Sequence, residues 1–338
     1  MNDYTDKTAV LLVNIGTPDE PTVPAVRRYL SDFLNDKRVM DVPFLIRKLL
    51  VNLIIVPFRS HKSTKLYQQL WTPEGSPLLK HSKDCREKLQ MLLGNDYEVI
   101  IAMRYGNPSL KSTLELIKKK QFRQLVLFPV FPQYASSTTG TIVETVLREI
   151  SKWYFIPSVK IIGQFFEHPM FIRAFVERIQ AYQSDDWDHI IFSYHGLPLR
   201  HLIKGHPDMS LQECFDAGFH VEHSRYCYRS ACYRATQLIA DALRLNADKY
   251  SVAFQSRLDK NWMQPFTNDT LIQKAKEGCR KVLVVCPAFV ADCLETIVEI
   301  GVEYQALFQQ YGGEKVQLVE SLNDYPTWIE AMKQMIES

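Results

Sequence analysis

Nucleotide-binding loops are absent from this sequence, which contains neither G-x-G-x-x-G nor G-x-x-x-x-G-K-[ST]. The two commonest phosphate-cradling motifs are therefore excluded. No G-x-S-x-G setting surrounds Ser193 or Ser256, so a serine hydrolase is not indicated. A charge excess of one sign is also lacking. The 40 basic and 38 acidic residues leave a net charge of +2, which gives no reason to expect nucleic acid as a partner.

A disulfide framework and a secretory leader are lacking as well. The seven cysteines are an odd number, and their spacing is not that of a disulfide-stapled protein. The first seven residues, MNDYTDK, have neither the basic start nor the apolar core of a signal peptide. Both features predict a reducing, cytoplasmic location.

What the sequence does contain is a regular alternation of short β-rich runs and helix-length segments, which is typical of α/β proteins with parallel sheets. We expect two Rossmann-like lobes at 1–165 and 166–321, each with a central four-stranded parallel sheet flanked by helices. The active-site cleft would lie between them, and a C-terminal helix at 322–338 can pack back on the first lobe. The expected strands are 9–14, 98–104, 124–130, 159–164, 189–194, 250–255, 281–286 and 315–319, and the expected helices include 26–35, 108–119, 142–153, 169–180, 231–244 and 293–308.

One histidine follows a predicted strand directly. The apolar run at 188–191 leads into FSYHGLP at 192–198, which indicates a strand that ends in a turn. His195 then lies just past the carboxyl end of the strand, where open α/β sheets bind their ligands. An imidazole there can exchange a proton near neutral pH. The ordinary alternative is a structural histidine with a satisfied hydrogen bond.

A row of acids makes the functional interpretation of His195 the stronger one. Asp292, Glu295, Glu299 and Glu303 are spaced three, four and four residues apart, so on a helix they form one ridge. Such a ridge facing a histidine can bind a divalent cation or relay protons. Asp292 and Glu295 also fit a D-x-x-E capping box, in which both carboxylates would accept hydrogen bonds from backbone N–H groups. Glu299 lies beyond the reach of that box.

The longest apolar stretch, residues 42–58, is too short to span a bilayer comfortably and contains Arg47 and Lys48. Two interpretations stay open. The stretch is either a buried core helix or an apolar lip beside a pocket, able to contact a membrane and admit a hydrophobic substrate.

Several aromatic residues follow predicted strand ends, and together they could form a flat apolar slot for a planar ligand. Each of them alone is accounted for by core packing. They are Tyr105, Phe131, Tyr134 and Trp262.

Short motifs occur along almost the whole chain. They are LVNIGTP at 12–18, RSHK at 59–62, GSPL at 75–78, MRYG at 103–106, PQY at 132–134, STTG at 137–140, FSYHGLP at 192–198, FQSR at 254–257, NW at 261–262 and DCLET at 292–296. Taken in order, these motifs resemble those of the ferrochelatases, the enzymes that insert ferrous iron into porphyrin at the end of haem synthesis. The resemblance is specific because the order and the spacing of the motifs agree.

The resemblance implies a lyase that inserts Fe²⁺ into protoporphyrin IX and releases two protons, with both lobes holding the porphyrin. It makes His195 and Glu295 the catalytic pair. It also implies that metal or protons pass along His195, Glu295, Asp292 and Glu299. The iron is a substrate of this reaction.

The resemblance also implies a set of substrate contacts and a membrane surface. The stretch 42–58 would be the lip through which a cytoplasmic protein lies peripherally on the inner membrane. Ile15 and Trp262 would contact the macrocycle, while Arg59, Lys62, Tyr67 and Ser76 would lie near the propionates or the pocket mouth; Tyr105 and Tyr134 complete the expected substrate-binding set.

A cysteine segment stands apart from these motifs, with Cys214, Cys227 and Cys232 spaced C-x12-C-x4-C and with His220 and His223 between them. Some bacterial ferrochelatases are similar in holding a 2Fe–2S cluster on internal cysteines. A cluster normally takes four thiolates, and this segment supplies three. The fourth ligand would be another cysteine or a non-cysteine group. Zinc bound with a histidine, or free thiols, are the alternatives.

Two further functions fit the same residues. One is a chelatase for another tetrapyrrole or metal, such as coproporphyrin or cobalt. The other is a non-catalytic, two-lobed tetrapyrrole-binding protein. The apolar lip favours protoporphyrin over the more carboxylated coproporphyrin.

Overall fold

Two parallel sheets of four strands each organise the chain. A computed structural model describes residues 5–182, 186–206, 209–216 and 225–338. Contacts divide it into two units. The first comprises Met1–Phe131, Ala135–Gly163 and Ile329–Ser338, and the second comprises Pro132–Tyr134 and Gln164–Trp328. The predicted α/β class with two four-stranded parallel sheets is confirmed, while the domain limits 1–165 and 166–321 stay a prediction.

The sheet of the first unit has the order β2-β1-β3-β4, and its strands run parallel. The central strand is buried on both faces, as parallel strands covered by helices usually are. Its side chains therefore read as one continuous apolar run in the sequence. The strands are β1 (Thr5–Gly16), β2 (Tyr97–Tyr105), β3 (Phe122–Pro129) and β4 (Ser158–Ile161).

The sheet of the second unit repeats this arrangement with the order β6-β5-β7-β8. Its central strand ends at His195, which pairs in register with Gln255 on the neighbouring strand. The candidate histidine thus stands at the carboxyl edge of the sheet, as predicted. The strands are β5 (His189–His195), β6 (Tyr250–Gln255), β7 (Lys281–Val285) and β8 (Lys315–Leu318).

Four helices in the described part of the first unit begin where the sequence supplies a capping side chain or a proline in the first turn. Pro occupies the first turn of three of them, where its missing N–H costs nothing. Ser109 caps a fourth by accepting a hydrogen bond from the Ser112 N–H. The helices are α1 (Val23–Leu34), α2 (Phe44–Leu49), α3 (Val56–Leu70), α4 (Pro77–Leu93), α5 (Leu110–Lys120) and α6 (Thr141–Ile150), with π-helical turns at Leu50–Ile55 and Ser136–Gly140.

Some helices in the described part of the second unit also begin at a capping side chain or a proline. Ser210 and Glu213 form a reciprocal capping box at the start of α9 (Leu211–Asp216). The remaining helices are α7 (Pro169–Gln180), α8 (Leu199–Gly205), α10 (Tyr228–Leu243), α11 (Thr267–Lys276), α12 (Gln305–Gln310) and α13 (Pro326–Glu337), with a 3₁₀ turn at Ala247–Lys249. From Ile329 onward, α13 belongs to the first unit.

The acidic segment departs from its predicted α-helical form. A π-helix spans Glu295–Tyr304, and α-helical geometry resumes only at α12. Hydrogen bonds in a π-helix join residues five apart, so its turns are wider than those of the α-helix that we expected at 293–308. π-Helical segments are frequent at functional sites, which makes this departure informative.

The apolar stretch 42–58 is largely exposed. It runs through α2, the π-helical turn Leu50–Ile55 and the start of α3. The alternative of a buried core helix is wrong, because large apolar side chains along the stretch are between 54% and 78% exposed: Phe44, Leu45, Ile46, Leu49, Leu53, Ile54 and Phe58. Among the described residues, no helix combines the length and apolar character that crossing a membrane requires.

Candidate active site

His195 presents one ring nitrogen for proton transfer. Its Nδ1 lies 2.7 Å from the carbonyl oxygen of Gly196. Because a carbonyl can only accept, Nδ1 carries a proton, and in the neutral imidazole Nε2 is the nitrogen with the lone pair. The half-buried imidazole lies near two aromatic rings, with its centroid 6.2 Å from that of Trp262 and 6.4 Å from that of Phe289. Apolar rings therefore stand beside a potential proton acceptor.

The backbone around His195 is fixed from two sides. The Tyr228 hydroxyl donates to the His195 carbonyl over 2.9 Å, and the Gly196 N–H donates to the Gln255 carbonyl over 2.9 Å. A Cβ at Gly196 would lie 3.1 Å from the Gln255 oxygen and 3.5 Å from the Trp262 ring. Only glycine fits comfortably between the strand end and that ring, so the turn after His195 holds Trp262 close.

Gln255 connects the histidine strand to the acidic segment. Its buried amide donates to the Glu295 carbonyl over 2.8 Å and accepts from the Ser193 hydroxyl over 2.7 Å. Since Gln255 is also the register partner of His195, Glu295 starts its π-helix beside the strand end that carries the imidazole. The structure thereby brings the predicted catalytic pair to one end of the second sheet.

Glu299 is held by a shell of donors. Its carboxylate accepts from the Ser256 N–H at 2.8 Å, the Ser256 hydroxyl at 2.5 Å and the Tyr304 hydroxyl at 2.8 Å. The Gln255 amide adds a longer contact of 3.4 Å. Burial, together with the charge of Glu299, raises the pKa of Tyr304 well above its ordinary value, which keeps that hydroxyl protonated as a donor.

Asp292 is hydrogen-bonded to residues of a neighbouring loop. Its buried carboxylate accepts from the Thr296 hydroxyl at 3.0 Å, the Asn323 amide at 2.8 Å and the Ser321 N–H at 3.3 Å. The expected capping box does not form, since the Asp292 N–H donates to Asn323 Oδ1 over 2.9 Å and not to the Glu295 carboxylate. These bonds favour the structural role that the sequence left open for Asp292, and its part in metal passage stays a prediction.

Comparison with known proteins decides the family. The model of the family described as Ferrochelatase matches residues 7–338. A protein named ferrochelatase from Coxiella burnetii (strain CbuK_Q154) is 44% identical over 98% of this chain and 93% of its own length. A protein of the same name from Legionella pneumophila (strain Lens) is 41% identical over 98% of both chains.

The chain belongs to the ferrochelatase family. The predicted activity is confirmed with it, namely insertion of ferrous iron into protoporphyrin in haem synthesis, with porphyrin and Fe²⁺ as substrates. Solved structures agree in fold. SirB from Bacillus subtilis with Fe³⁺ aligns with a TM-score of 0.57 at 11% identity, over 98% of this chain and 94% of that one. Identity this low supports the fold alone.

In the second unit, two residues of the predicted substrate-binding set, Trp262 and Tyr134, occupy different surroundings. Trp262 lies against His195, because residues 196–198 pair with the segment around Trp262. Tyr134 instead packs edge-on against Tyr226, with ring centroids 5.2 Å apart. Of the two, Trp262 is the one that the described contacts join to the ferrochelatase histidine.

In the first unit, several predicted substrate residues share one neighbourhood. Ile15 is half-buried at the end of β1, next to Gly16, whose carbonyl accepts from the Tyr29 hydroxyl at 3.2 Å. The Tyr29 ring meets the buried Tyr67 ring edge-on at 6.3 Å. Buried Ser76 accepts from the Thr17 hydroxyl over 2.9 Å, and Arg59 and Lys62 are exposed on α3.

The contacts of Tyr105 indicate a structural role. Its hydroxyl donates to Asp36 over 2.9 Å, and the Arg104 guanidinium lies 4.6 Å from its ring centre. Burial opposes ionisation of Asp36, but hydrogen bonds from Thr141, Arg38 and Tyr105 outweigh it and hold the pKa of Asp36 below its usual value. This network lines a cavity of about 490 Å³ within the first unit. Substrate contact by Tyr105 stays a prediction.

Sequence reasoning misses three residues that the structure puts to use around the site. Gln255 and Ser256 stand out in the sequence only as part of the FQSR motif, although Ser256 adopts a left-handed φ of 62°, which is uncommon for a residue other than glycine. Tyr304 has no signal of its own, since its spacing of five residues from Glu299 becomes meaningful only in a π-helix. None of these three residues is marked in the sequence by the three- or four-residue spacing that groups side chains on an α-helix.

The predicted cluster cysteines are all buried. Cys214 and Cys227 converge, but their third partner is His206 instead of Cys232, and the ligand atoms of these three residues lie within 4.8 Å of one another. Sequence reasoning misses His206 as well, because this histidine precedes the cysteine segment. The two histidines inside that segment, His220 and His223, lie outside the described residues.

Proposed function

We propose that this ferrochelatase uses His195 Nε2 to accept a porphyrin N–H proton as ferrous iron enters the ring. The single observation that carries the proposal is the hydrogen bond from Nδ1 to the Gly196 carbonyl, which leaves Nε2 as the basic nitrogen. Free-base porphyrin must lose two N–H protons for each Fe²⁺ bound, so the balanced reaction is porphyrin-H₂ plus Fe²⁺ giving haem plus two protons. No water, carbon–carbon bond or redox change is involved.

The acidic segment supplies the second half of the mechanism. Glu295 begins the π-helix at the histidine end of the sheet, Glu299 follows one turn later, and Glu303 is exposed. Protons taken from the porphyrin can leave along this row, and iron can approach along it, because carboxylates attract both cations. We keep His195, Glu295, Asp292 and Glu299 as the proposed metal path, with Asp292 bound most firmly to its own loop.

Aromatic contact provides the binding surface for the ring. Trp262 and Phe289 flank His195, so a porphyrin resting on them would present its nitrogens to the imidazole. Holding the macrocycle bent would aim a nitrogen lone pair at the incoming iron, with the strain supported by contacts at the ring edge. Exposed Arg59 and Lys62 are the proposed partners of the propionates, and Ile15, Tyr67, Ser76, Tyr105 and Tyr134 complete the proposed substrate set.

The exposed stretch 42–58 supports peripheral binding of the protein to a membrane surface on its cytoplasmic side. Its large apolar side chains face outward, while Arg47 turns inward and donates to the Val42 carbonyl over 3.0 Å. An apolar lip of this kind gains free energy by entering the interface of a bilayer, from which a hydrophobic porphyrin such as protoporphyrin can be drawn.

A 2Fe–2S cluster on Cys214, Cys227 and Cys232 fits the described residues poorly. Such a cluster is normally held by four thiolates, whereas the converging donors in the described ranges are two thiols and one imidazole. No step of the reaction is therefore assigned to a cluster.

An anaerobic assay with ferrous iron tests the proposed function. The full chain is mixed with protoporphyrin or with coproporphyrin, and the loss of free-base fluorescence is followed together with proton release. We expect faster insertion into protoporphyrin and about two protons released per haem. Binding of porphyrin without loss of its fluorescence would identify a binding protein, and a preference for coproporphyrin would overturn the substrate assignment.

A further inference from the structure

Three buried side chains outside the active site point their ligand atoms at one another. His206 Nε2 lies 3.6 Å from Cys214 Sγ, and Cys227 Sγ completes a group whose atoms are all within 4.8 Å. Each of the three residues is less than 9% exposed. A cluster of two thiols and an imidazole away from water is a donor set that a borderline-soft cation prefers.

The sequence builds this group from three helices. His206 is the residue after α8, where its N–H still bonds the Ile203 carbonyl. Cys214 lies on α9, whose start is fixed by the capping box that precedes it. Cys227 is the N-cap of α10, and its sulfur accepts from the Ser230 N–H at 3.5 Å. Local hydrogen bonds therefore position each ligand independently of a metal.

The separation of His206 and Cys214 fits a single tetrahedral ion. Zinc with bonds of about 2.3 Å to sulfur and about 2.0 Å to nitrogen places those two ligand atoms about 3.5 Å apart. The observed separation of His206 and Cys214 is 3.6 Å. Cys232 is fully buried on α10, but it is not a member of the converging group.

We propose that His206 Nε2, Cys214 Sγ and Cys227 Sγ bind one zinc ion. The ion would tie the end of α8 and the helix α9 to the start of α10. Cys227 directly precedes Tyr228, whose hydroxyl holds the His195 carbonyl, so the ion would steady one support of the active site. The zinc site does not depend on the proposed iron-insertion mechanism, and metal content and activity test the two separately.

Burial shifts the pKa values of two of the three residues. Burial and the neighbouring Cys227 raise the pKa of Cys214 to about 11, and burial lowers the pKa of His206. A dipositive ion would displace the thiol protons, which is how zinc sites with cysteine ligands form.

Metal analysis of the full chain tests the site. The protein is expressed with zinc and iron in the medium, and zinc, iron and acid-labile sulfide are measured after gel filtration. We expect about one zinc per chain in the wild type and in the matched control Cys279→Ser, whose half-buried thiol lies outside the group. His206→Ala and Cys214→Ser should each weaken zinc binding more than about 100-fold.

A second readout guards against variants that fail to fold. His206→Cys restores a ligand and should regain zinc, while circular dichroism reports the fold of each variant. Metal is first removed from the wild-type protein with a chelator. Titration of this protein with cobalt should then produce the near-ultraviolet charge-transfer band of thiolate-bound Co²⁺ and raise the melting temperature. Full zinc retention in folded His206→Ala would overturn the proposal. So would two irons and two sulfides per chain, or a wild type that binds neither zinc nor cobalt.

Discussion

His195 donates its Nδ1 proton to the Gly196 carbonyl, and this bond sets the tautomer of a ring that lies near Trp262 and Phe289. The Tyr228 hydroxyl and the Gln255 carbonyl bond to the backbone around it and hold the strand end in place. At the scale of single residues, the site therefore holds an imidazole of fixed orientation, the proposed proton acceptor, beside apolar rings.

Gln255 offers a test of how this site is supported. In Gln255→Leu, the Ser193 hydroxyl and the Glu295 carbonyl each lose a buried partner, which costs about 1–3 kcal/mol of unfolding free energy. Urea denaturation measures this loss, and iron insertion should fall as Glu295 loses its tether. Gln309→Leu, an exposed glutamine on α12, is the control and should change stability by less than about 0.5 kcal/mol. Equal stabilities for the two variants would contradict the supporting role.

His189 at the start of β5 makes the fold sensitive to acid. Burial, assisted by the charges of Lys274 and Lys249 and opposed by the charge of Glu277, lowers its pKa to about 4. In an unfolded chain, the pKa of a histidine is about 6.5. Between these two pKa values, the unfolded state binds a proton at His189 that the folded state does not bind. The free energy of unfolding is therefore highest above about pH 6.5 and decreases as the pH falls toward 4.

Replacing this histidine should flatten the acid limb of the stability profile. Between pH 7 and pH 4.5, His189→Gln is expected to lose about 1–2 kcal/mol less unfolding free energy than the wild type, measured by urea denaturation at each pH. His61→Gln, at an exposed position on α3, should follow the wild-type profile. Parallel profiles for wild type and His189→Gln would show that this imidazole does not govern acid unfolding.

At the scale of elements, the strand ends of the first sheet depend on close backbone approach. Gly16 has a φ of +110°, and a Cβ there would lie 1.7 Å from the Tyr105 carbonyl oxygen. Gly16→Ala should therefore destabilise the protein by more than about 2 kcal/mol in urea denaturation. Gly163→Ala is the matched control, because no atom lies within 4 Å of the place that its Cβ would occupy. A Gly16→Ala protein as stable as the control would refute the close approach.

The strands were the most predictable elements. Parallel strands covered on both faces require continuous apolar runs, and turns rich in Gly and Pro mark their ends, so all eight lie close to their predicted positions. The π-helix at Glu295–Tyr304 was not predictable, because over two or three turns its apolar spacing resembles that of an α-helix.

The site was predictable only in part, for a related reason. His195 and the acids follow strand ends, and strand ends in one parallel sheet share an edge. Gln255 acts through its side chain on a strand of ordinary composition, and His206 meets Cys214 through turns between short helices. Such contacts depend on tertiary packing, which leaves no periodic trace in the sequence.

For the whole molecule, the exposed stretch 42–58 predicts a protein that binds to the surface of bilayers. A triple variant with Leu45, Leu49 and Leu53 replaced by serine should bind phospholipid vesicles more than about tenfold more weakly, as measured by co-sedimentation.

Iron insertion into detergent-solubilised porphyrin should change little in that variant, since the reacting groups are untouched. The control replaces Leu116 and Leu147, which are partly exposed on α5 and α6, with serine and should bind vesicles as the wild type does. Unchanged vesicle binding by the triple variant would contradict the membrane role of the stretch.

The most direct test of the proposed mechanism is the anaerobic iron-insertion rate of His195→Asn. An asparagine amide can still donate to the Gly196 carbonyl, so the turn is preserved, but it offers no basic nitrogen. If Nε2 accepts the porphyrin proton, kcat should fall by at least about 100-fold while the circular dichroism spectrum and the melting temperature stay those of the wild type. A folded His195→Asn protein that keeps more than about a tenth of the wild-type kcat would contradict the account.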